Sequence, residues 1–438
     1  MISRFSLREE ILIDSAALGA FNKAYPHIKG KRVLFLVGKG NNGSDALEMA
    51  RLSLGEADKV YVYLLFPEGN EENMRRRSLL PESTFVSSFV EADTIVDGVF
   101  GFSFHGSLSP FFSDLFGKVE SSSSFRIALD VPSAFSYTAD LTVTFMCRKS
   151  ELYMPERRGK CGEIYLFDPG FPKEGFEESS SFLLAEDDYS AKPFSSSSYK
   201  NTRGHLLVAG GSERYPGAPL LSSLSAFHAG AGLVTLLSSQ CVLSRVYASH
   251  PSIMGIGKDS LSQVNYSASL AGPGWDDGDE SVLSALNESG KPMVVDADGI
   301  KLLSPSFVFK GEGVVTPHLG EFRTLRKNLG IDEEICSLDA AEVISEMLNA
   351  TVVLKSSVVW IVKGKTRYVF DGSNPSLGVA GSGDVLSGII GAFLSSGMTG
   401  EEASINATIL HQKCGRKLQR KLGFYTGEDL IEEVGRER

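Results

Sequence analysis

Five consecutive apolar residues, Val33-Leu34-Phe35-Leu36-Val37, run straight into Gly38-Lys39-Gly40-Asn41-Asn42-Gly43-Ser44-Asp45 and then into a helical stretch over 46–54. An unbroken apolar run of this kind reads as a strand buried on both faces, which implies a parallel sheet covered by helices. Strand, glycine turn and helix together make the phosphate-binding unit of doubly wound sheets. Gly38, Gly40 and Gly43 satisfy G-x-G-x-x-G, a weak signal alone. No acidic residue falls cleanly about 20 positions on, as hydride transfer would want. Two asparagines and an aspartate in the turn instead offer amides and a carboxylate to a polar ligand or a cation.

Further strands are expected at 59–66, 94–101, 125–129, 139–145 and 162–167. Asp97 and Asp130 close two of them, at the edge of a parallel sheet where ligands bind. The second half repeats the logic, with short apolar strands at 204–209, 234–237, 269–271, 293–295, 313–315 and 352–354 separated by helical stretches. Gly272-Pro273-Gly274, Asp296-Ala297-Asp298, Thr316-Pro317-His318-Leu319-Gly320-Glu321 and Lys355 follow successive strands. Alternating βα units imply a second, mostly parallel sheet with helices on both faces. Residues 173–200, rich in Ser, Glu, Pro and Lys, read as a connection.

At 438 residues the chain has room for two or three domains. A net charge of −11 argues against a nucleic-acid surface. The densest basic run, Arg75-Arg76-Arg77, reads as a solvated helix face. Five cysteines without C-x-x-C spacing suggest reduced thiols. Charges in the first ten residues do not suit a signal peptide, and no apolar run approaches the roughly 20 residues of a membrane helix. A cytoplasmic protein without nucleic-acid or membrane partners is expected.

The stretch 373–388 is a glycine-rich loop leading into an apolar helix at 385–394. Gly381, Ser382 and Gly383 offer three backbone amides at that helix start, where the dipole favours an anion. Asp384 beside a phosphate makes little sense as a ligand and good sense as a base that deprotonates a hydroxyl. The plainer reading is an aspartate that only caps the helix.

From about residue 5 to 175 these residues resemble the YjeF N-terminal type of NAD(P)H-hydrate epimerase, through the Asn-Asn turn, Asp97 and Asp130-Val131-Pro132-Ser133. The resemblance implies that Asn41, Asn42, Gly43, Ser44 and Asp45, with the loop Gly101, Phe102, Ser103, Phe104, His105, Gly106 and Ser107, hold the substrate. It implies that Asn42, Asp97 and Ser133 bind potassium and that Asp130 is the acid/base group. Residues 7–25 show helical spacing; Ser44, Ala46 and Ala134 stand where that family has glycines, and the family's usual first strand and leading helix are read as missing at the N-terminus. Residues 199–433 resemble the ribokinase-like ADP/ATP-dependent NAD(P)H-hydrate dehydratases, through Gly210-Gly211-Ser212, Gly217-Ala218, Gly272-Pro273-Gly274, Asp296-Ala297-Asp298, the His318 motif and the Asp384 loop. By that resemblance Ala218, Gly274, His318 and Asp384 contact the hydrated nucleotide. Lys355, Ser356, Ser357, Val358 and Val359, with Gly381, Ser382 and Gly383, bind the adenine nucleotide.

The resulting expectation is an α/β protein with a Rossmann-like doubly wound N-terminal domain at 1–175, a linker at 176–198 and a ribokinase-like α/β/α sandwich at 199–438. Implied partners are hydrated NADH or NADPH, ADP or ATP as phosphoryl donor, Mg²⁺, K⁺ and a second copy of the chain in a homo-oligomer. Asp384 would deprotonate the ring hydroxyl, which takes a phosphoryl group and then leaves as phosphate. A small-molecule kinase of the same fold, a dehydratase with a degenerate N-terminal domain, and a nucleotide sensor with dead sites remain alternatives.

Overall fold

The computed structural model describes residues 8–172 and 179–438. Residues 1–7, part of the N-terminal reading, and 173–178, the start of the expected connection, lie outside them. The chain divides into two compact units, Met1–Glu178 and Ser179–Arg438.

The first unit holds β1 (Arg32–Val37), β2 (Lys59–Leu64), β3 (Phe85–Val86), β4 (Thr94–Gly98), β5 (Phe125–Leu129), β6 (Leu141–Phe145) and β7 (Glu163–Phe167). They form one sheet in the order β3-β2-β1-β4-β5-β6-β7, every pair parallel. Strand order reverses beside β1, so a crevice opens between the loops that follow β1 and β4. Helices α1 (Glu9–Ile28) and α2 (Asn41–Ser53) cover one face, and α3 (Glu71–Arg77) and α4 (Pro110–Ser121) complete the unit. Phe35, Leu47 and Ile127 pack in one apolar cluster and Leu34, Ile95 and Phe116 in another. A leading helix is therefore present. The helix after β1 also begins five residues earlier than its apolar pattern suggests, so Asn41 to Asp45 lie in its first turns. Arg76 is not on a solvated face: it is fully buried, 2.5 Å from Asp14 and paired with Glu72.

The second unit contains β8 (Ser181–Leu184), β9 (His205–Ala209), β10 (Leu233–Leu237), β11 (Met254–Ile256), β12 (Ala268–Ala271), β13 (Met293–Val295), β14 (Gly313–Val315), β15 (Ala350–Lys355), β16 (Val359–Lys363) and β17 (Thr366–Phe370). Their order is β11-β10-β9-β12-β13-β14-β15-β16-β17-β8. The sheet is parallel from β11 to β15, turns antiparallel at β16 and β17, and ends with β8 parallel to β17. Its helices are α5 (Gly217–His228), α6 (Gln240–Ser249), α7 (Glu280–Glu288), α8 (Leu319–Leu329), α9 (Ser337–Leu348), α10 (Ser382–Ser395), α11 (Gly400–Leu422) and α12 (Gly427–Glu437).

The described part of the expected linker is thus a working piece of this unit. Besides β8, the amides of Ser190 and Ala191 donate to Asn406 Oδ1 at 2.7 and 2.8 Å, and Ala191 is buried. The strand is only four residues, Ser181-Phe182-Leu183-Leu184, and the Ser- and Glu-rich residues around it mask so short an apolar run. The segment 385–394 gains three residues at its start as α10, which places Asp384 in the first helical turn. Gly388 sets how closely α10 meets α5: a Cβ there would fall 2.0 Å from Ser225 Oγ and 2.2 Å from the Ser222 carbonyl.

Candidate functional site

In the first unit the strand-end loops surround a cavity of about 860 Å³. Asp130 reaches it from the end of β5 with φ of 68°, a left-handed conformation uncommon outside glycine. Its Oδ2 accepts the Phe102 N–H at 2.9 Å, and its Oδ1 lies 2.5 Å from Lys149 Nζ. Lys149 also donates to Thr144 Oγ1 and the Phe145 carbonyl at 2.9 and 2.7 Å. Asn41, Asn42, Asp45, Gly101, Phe102, Ser103, Phe104 and Ser107 line the same cavity, as do Lys39 and Lys149.

Other residues assigned to substrate from the resemblance sit elsewhere. Gly43 is packed against the β1 turn, where a Cβ would meet the Gly38 carbonyl at 2.1 Å. Ser44 is fully buried, and its hydroxyl bonds the Gly40 carbonyl and Asn70 Oδ1. His105 and Gly106 line an adjoining cavity of about 390 Å³ with Phe135 and Arg157, which shares Gly101, Phe102 and Phe104 with the main one. Asn41 lines the main cavity, yet its amide is engaged on both sides, by Glu9 and by Asn70.

Asp45 is buried, and among the described residues its carboxyl has no hydrogen-bond partner. Burial first, and then the charge of Asp130, push it well above the ordinary carboxylate range. Asp97 is also buried and raised by burial. It accepts from the Val99 and Ser133 amides, Ser133 Oγ and Tyr137 Oη at 3.0, 2.9, 2.8 and 2.8 Å, all neutral donors. Both polar atoms of the Asn42 side chain are buried and unpartnered among the described residues. An orphaned amide oxygen and a carboxylate balanced only by neutral donors suit a hard monovalent cation with oxygen ligands.

In the second unit the chemistry gathers at the start of α10. Gly381 caps the helix with φ of 87°, a conformation that glycine adopts without cost. The Gly383 amide lies in the first turn, where the helix supplies no acceptor. A Cβ at Gly383 would come 3.5 Å from Lys355 Nζ, so a cation and a helix N-terminus face the same point. Lys355 Nζ is 2.9 Å from Asp296 Oδ1. Burial opposes the lysine's charge, but Asp296, Glu321 and Asp384 outweigh it and raise its pKa.

A carboxylate in the first turn of a helix is normally favoured in its charged form. For Asp384 burial wins, reinforced by Asp296 and only partly offset by Lys355, and the group is raised from 3.8 to about 7. Among the described residues no donor bonds its carboxylate. A base poised near neutrality with a free lone pair is suited to taking a hydroxyl proton.

His318 is the N-cap of α8: Nδ1 accepts the Gly320 and Glu321 amides at 2.9 and 3.2 Å. That fixes the neutral tautomer with the proton on the exposed Nε2. Gly274 is buried beside Ala218, within 3.1 Å of its methyl for an added Cβ. Ser382 departs from the reading of three free amides. Its N–H donates to the Val379 carbonyl at 3.2 Å, and its Oγ and carbonyl lie 3.1 and 3.0 Å from His411 Nε2. Lys355 to Val359 form the turn from β15 into β16. The Val358 and Val359 side chains are buried, so this turn offers a ligand backbone groups, Lys355 and the two serines.

Lys149 and His411 escaped sequence reasoning. Lys149 follows β6 and could have been found by the strand-end rule that found Asp97 and Asp130. His411 lies mid-helix in α11, and nothing local marks it.

Two doubly wound units, each with an aspartate at the C-terminal edge of a parallel sheet, define the class as α/β, with a ligand-binding crevice in each unit. A family model described as NAD(P)H-hydrate dehydratase matches residues 206–436, and one described as YjeF-related protein N-terminus matches 9–150. The bifunctional NAD(P)H-hydrate repair enzyme of Mycobacterium tuberculosis is 30% identical over 86% of this chain and 81% of its own length. That of Archaeoglobus fulgidus is 29% identical over 98% and 94%. Among solved structures, a ribokinase-like superfamily protein from Enterococcus faecalis superposes with a TM-score of 0.53 at 24% identity, over 60% of this chain and 96% of that one. The ADP/ATP-dependent NAD(P)H-hydrate dehydratase of Bacillus subtilis, co-crystallised with ATP and Mg²⁺, gives 0.53 at 23% identity over 58% and 97%. These likenesses give the second unit its ribokinase-like fold. The chain belongs to the bifunctional NAD(P)H-hydrate repair enzymes.

Proposed function

We propose that the first unit interconverts the R and S hydrates of NADH and NADPH, and that the second dehydrates the S form at the expense of ADP or ATP. The observation that carries the second half is Asp384, a partly buried carboxyl raised to about 7 at a helix start that also faces Lys355. Ionised Asp384 takes the proton of the ring hydroxyl, whose oxygen attacks the terminal phosphoryl group of the donor. The Gly383 amide, the α10 dipole and Lys355 offset the charge that builds on the transferred group. Phosphate then leaves with the C–O electron pair, and loss of a proton from the neighbouring carbon restores the reduced ring. AMP is the product when ADP is the donor.

Among the described residues no group of three or more His, Cys, Asp or Glu side chains is arranged to hold a metal ion. This suits Mg²⁺ that arrives on the nucleotide's phosphates and takes one carboxylate and water from its surroundings. Bound there, it would supply charge neutralisation at the transferring phosphate. Potassium in the first unit would be held by Asn42, Asp97 and Ser133, with Asn42 as the group left unpartnered without it. Self-association into a homo-oligomer completes the reading; exposed Phe182, Leu183 and Phe424 are apolar surface it could cover, and sedimentation velocity tests it. Among the described residues no helix is long and apolar enough to cross a membrane.

The test is recovery of 340-nm absorbance from a mixture of R and S NADH hydrates with ADP or ATP. Complete recovery supports both halves. Recovery of the S fraction alone would refute the epimerase and leave the dehydratase; release of a stable phosphorylated product would favour a kinase. Replacing K⁺ by choline should slow interconversion in the wild type, and Asn42→Ala should remove that dependence.

A further inference from the structure

Inverting a hydrate carbon asks for two proton-transfer groups. Hydration of the reduced ring's enamine bond puts the hydroxyl on the carbon beside the ring nitrogen. One group must protonate the departing hydroxyl, and another must deprotonate the water that arrives on the opposite face. Asp130 supplies one. Of the carboxyls in and around the cavity, Glu9 is engaged with Asn41, Glu48 with Arg51, and Asp97 with its four donors. Asp45 lines the cavity with Asp130, is 8% exposed, and has no hydrogen-bond partner among the described residues.

We propose that Asp45 is the second proton-transfer group of this cavity, acting with Asp130 on the two faces of the hydrate carbon. The idea rests on the epimerase reading of the first unit. Asp45, protonated, gives its proton to the carbon-bound hydroxyl. The C–O bond breaks with both electrons going to the departing water, and the ring nitrogen's lone pair closes a C=N bond. A water attacks the carbon from the other face and forms a new C–O bond. Its proton passes to Asp130, and the C=N pair returns to nitrogen. One proton has moved from Asp45 to Asp130. Proton exchange with solvent returns the pair to its starting state for another turnover in the same direction, and the reverse inversion runs with the roles exchanged.

The surroundings fit this division. Burial and Asp130 from β5 favour the protonated form of Asp45, Glu9 from α1 adds to it, and Arg76 from α3 opposes it. Asp130 is ion-paired with Lys149, and Lys39 is the other cation lining the cavity. One cavity thus holds two carboxyls in different surroundings, Asp45 without a hydrogen-bond partner among the described residues and Asp130 held by Lys149 and the Phe102 amide, as an acid/base pair requires.

Asp45→Asn decides the matter, because the amide matches a neutral carboxyl in size and charge and a merely structural group would tolerate it. Interconversion of separated R and S NADH hydrates is followed chromatographically without ADP, with hydrate binding and thermal melting measured alongside. We expect at least a roughly 100-fold fall in interconversion, with hydrate binding within a few-fold of wild type. Wild-type kcat/KM should fall on both sides of its optimum, since the pair works with one proton between them. If the wild type interconverts the hydrates and D45N stays within about 3-fold, Asp45 has no such role and the epimerase reading stands. A wild-type profile with no alkaline fall overturns the role as well, whether or not the variant folds. If the wild type does not interconvert the hydrates at all, the epimerase reading fails and the proposal with it.

Discussion

At the scale of single residues, Asp384 sets helix-start electrostatics against desolvation, and desolvation prevails. Because its native pKa of about 7 lies above the ordinary 3.8, the folded chain binds more protons than the unfolded one between those values. Its contribution to stability is therefore present in acid and declines as pH rises through that window. Asp384→Asn should melt higher than wild type by more at pH 8 than at pH 5, as differential scanning calorimetry would show. Its dehydration rate should fall by at least roughly 100-fold with nucleotide binding retained. In the wild type that rate should drop as pH falls below about 7. Ala134 offers a gentler case: it holds φ of 51° where the resembling family has glycine. Ala134→Gly should relieve about 1 kcal/mol of backbone strain, read as a higher denaturant midpoint. Ser44, Ala46 and Ala134 all lie off the main cavity's lining, so these departures from glycine leave its polar groups in place. Asp97 and Asp130 were legible because each closes an apolar run, and Asp384 because a glycine-rich loop sets it just ahead of one. His411 was not, since its hydrogen bond to Ser382 exists only once distant segments meet; Lys149 carried a strand-end signal, but its ion pair with Asp130 shows only in the fold.

At the scale of elements, the close crossing of α10 and α5 positions the helix that carries Asp384. Gly388→Ala drives a methyl into the Ser222 carbonyl and Ser225 Oγ, and backbone cannot turn aside as a side chain can. A loss of about 1–3 kcal/mol in stability is expected, together with a large fall in dehydration. Gly117, inside α4, meets nothing within 4 Å. Gly117→Ala should add about 0.5–1 kcal/mol by the helix propensity alone. Paired urea melts of the two variants separate packing from propensity. The parallel strands were readable from sequence because burial on both faces makes them continuous apolar runs. The hairpin of β16 and β17 and the edge strand β8 were missed. β17 and β8 lie at the rim of the sheet, where polar residues such as Arg367 and Ser181 are tolerated and the apolar signal thins, whereas β16, Val359-Trp360-Ile361-Val362, is apolar and buried and carried a readable signal.

At the scale of the molecule, the proposal gives each reaction its own compact unit. Asp130→Asn should spare dehydration of the pure S hydrate while leaving the R fraction of a mixture unrepaired. Asp384→Asn should do the converse, interconverting the hydrates without restoring absorbance. If either variant abolished both activities, the assignment of one reaction to each unit would be wrong. The edge strand β8 carries a consequence of another kind, for colloidal behaviour. It occupies the hydrogen-bonding edge of β17, whose backbone would otherwise stand open to any extended segment of a neighbouring chain. A dehydratase half begun at residue 199, where its sequence motifs start, would leave that edge bare and be prone to clump; one begun ahead of Ser181 would bring its own cover.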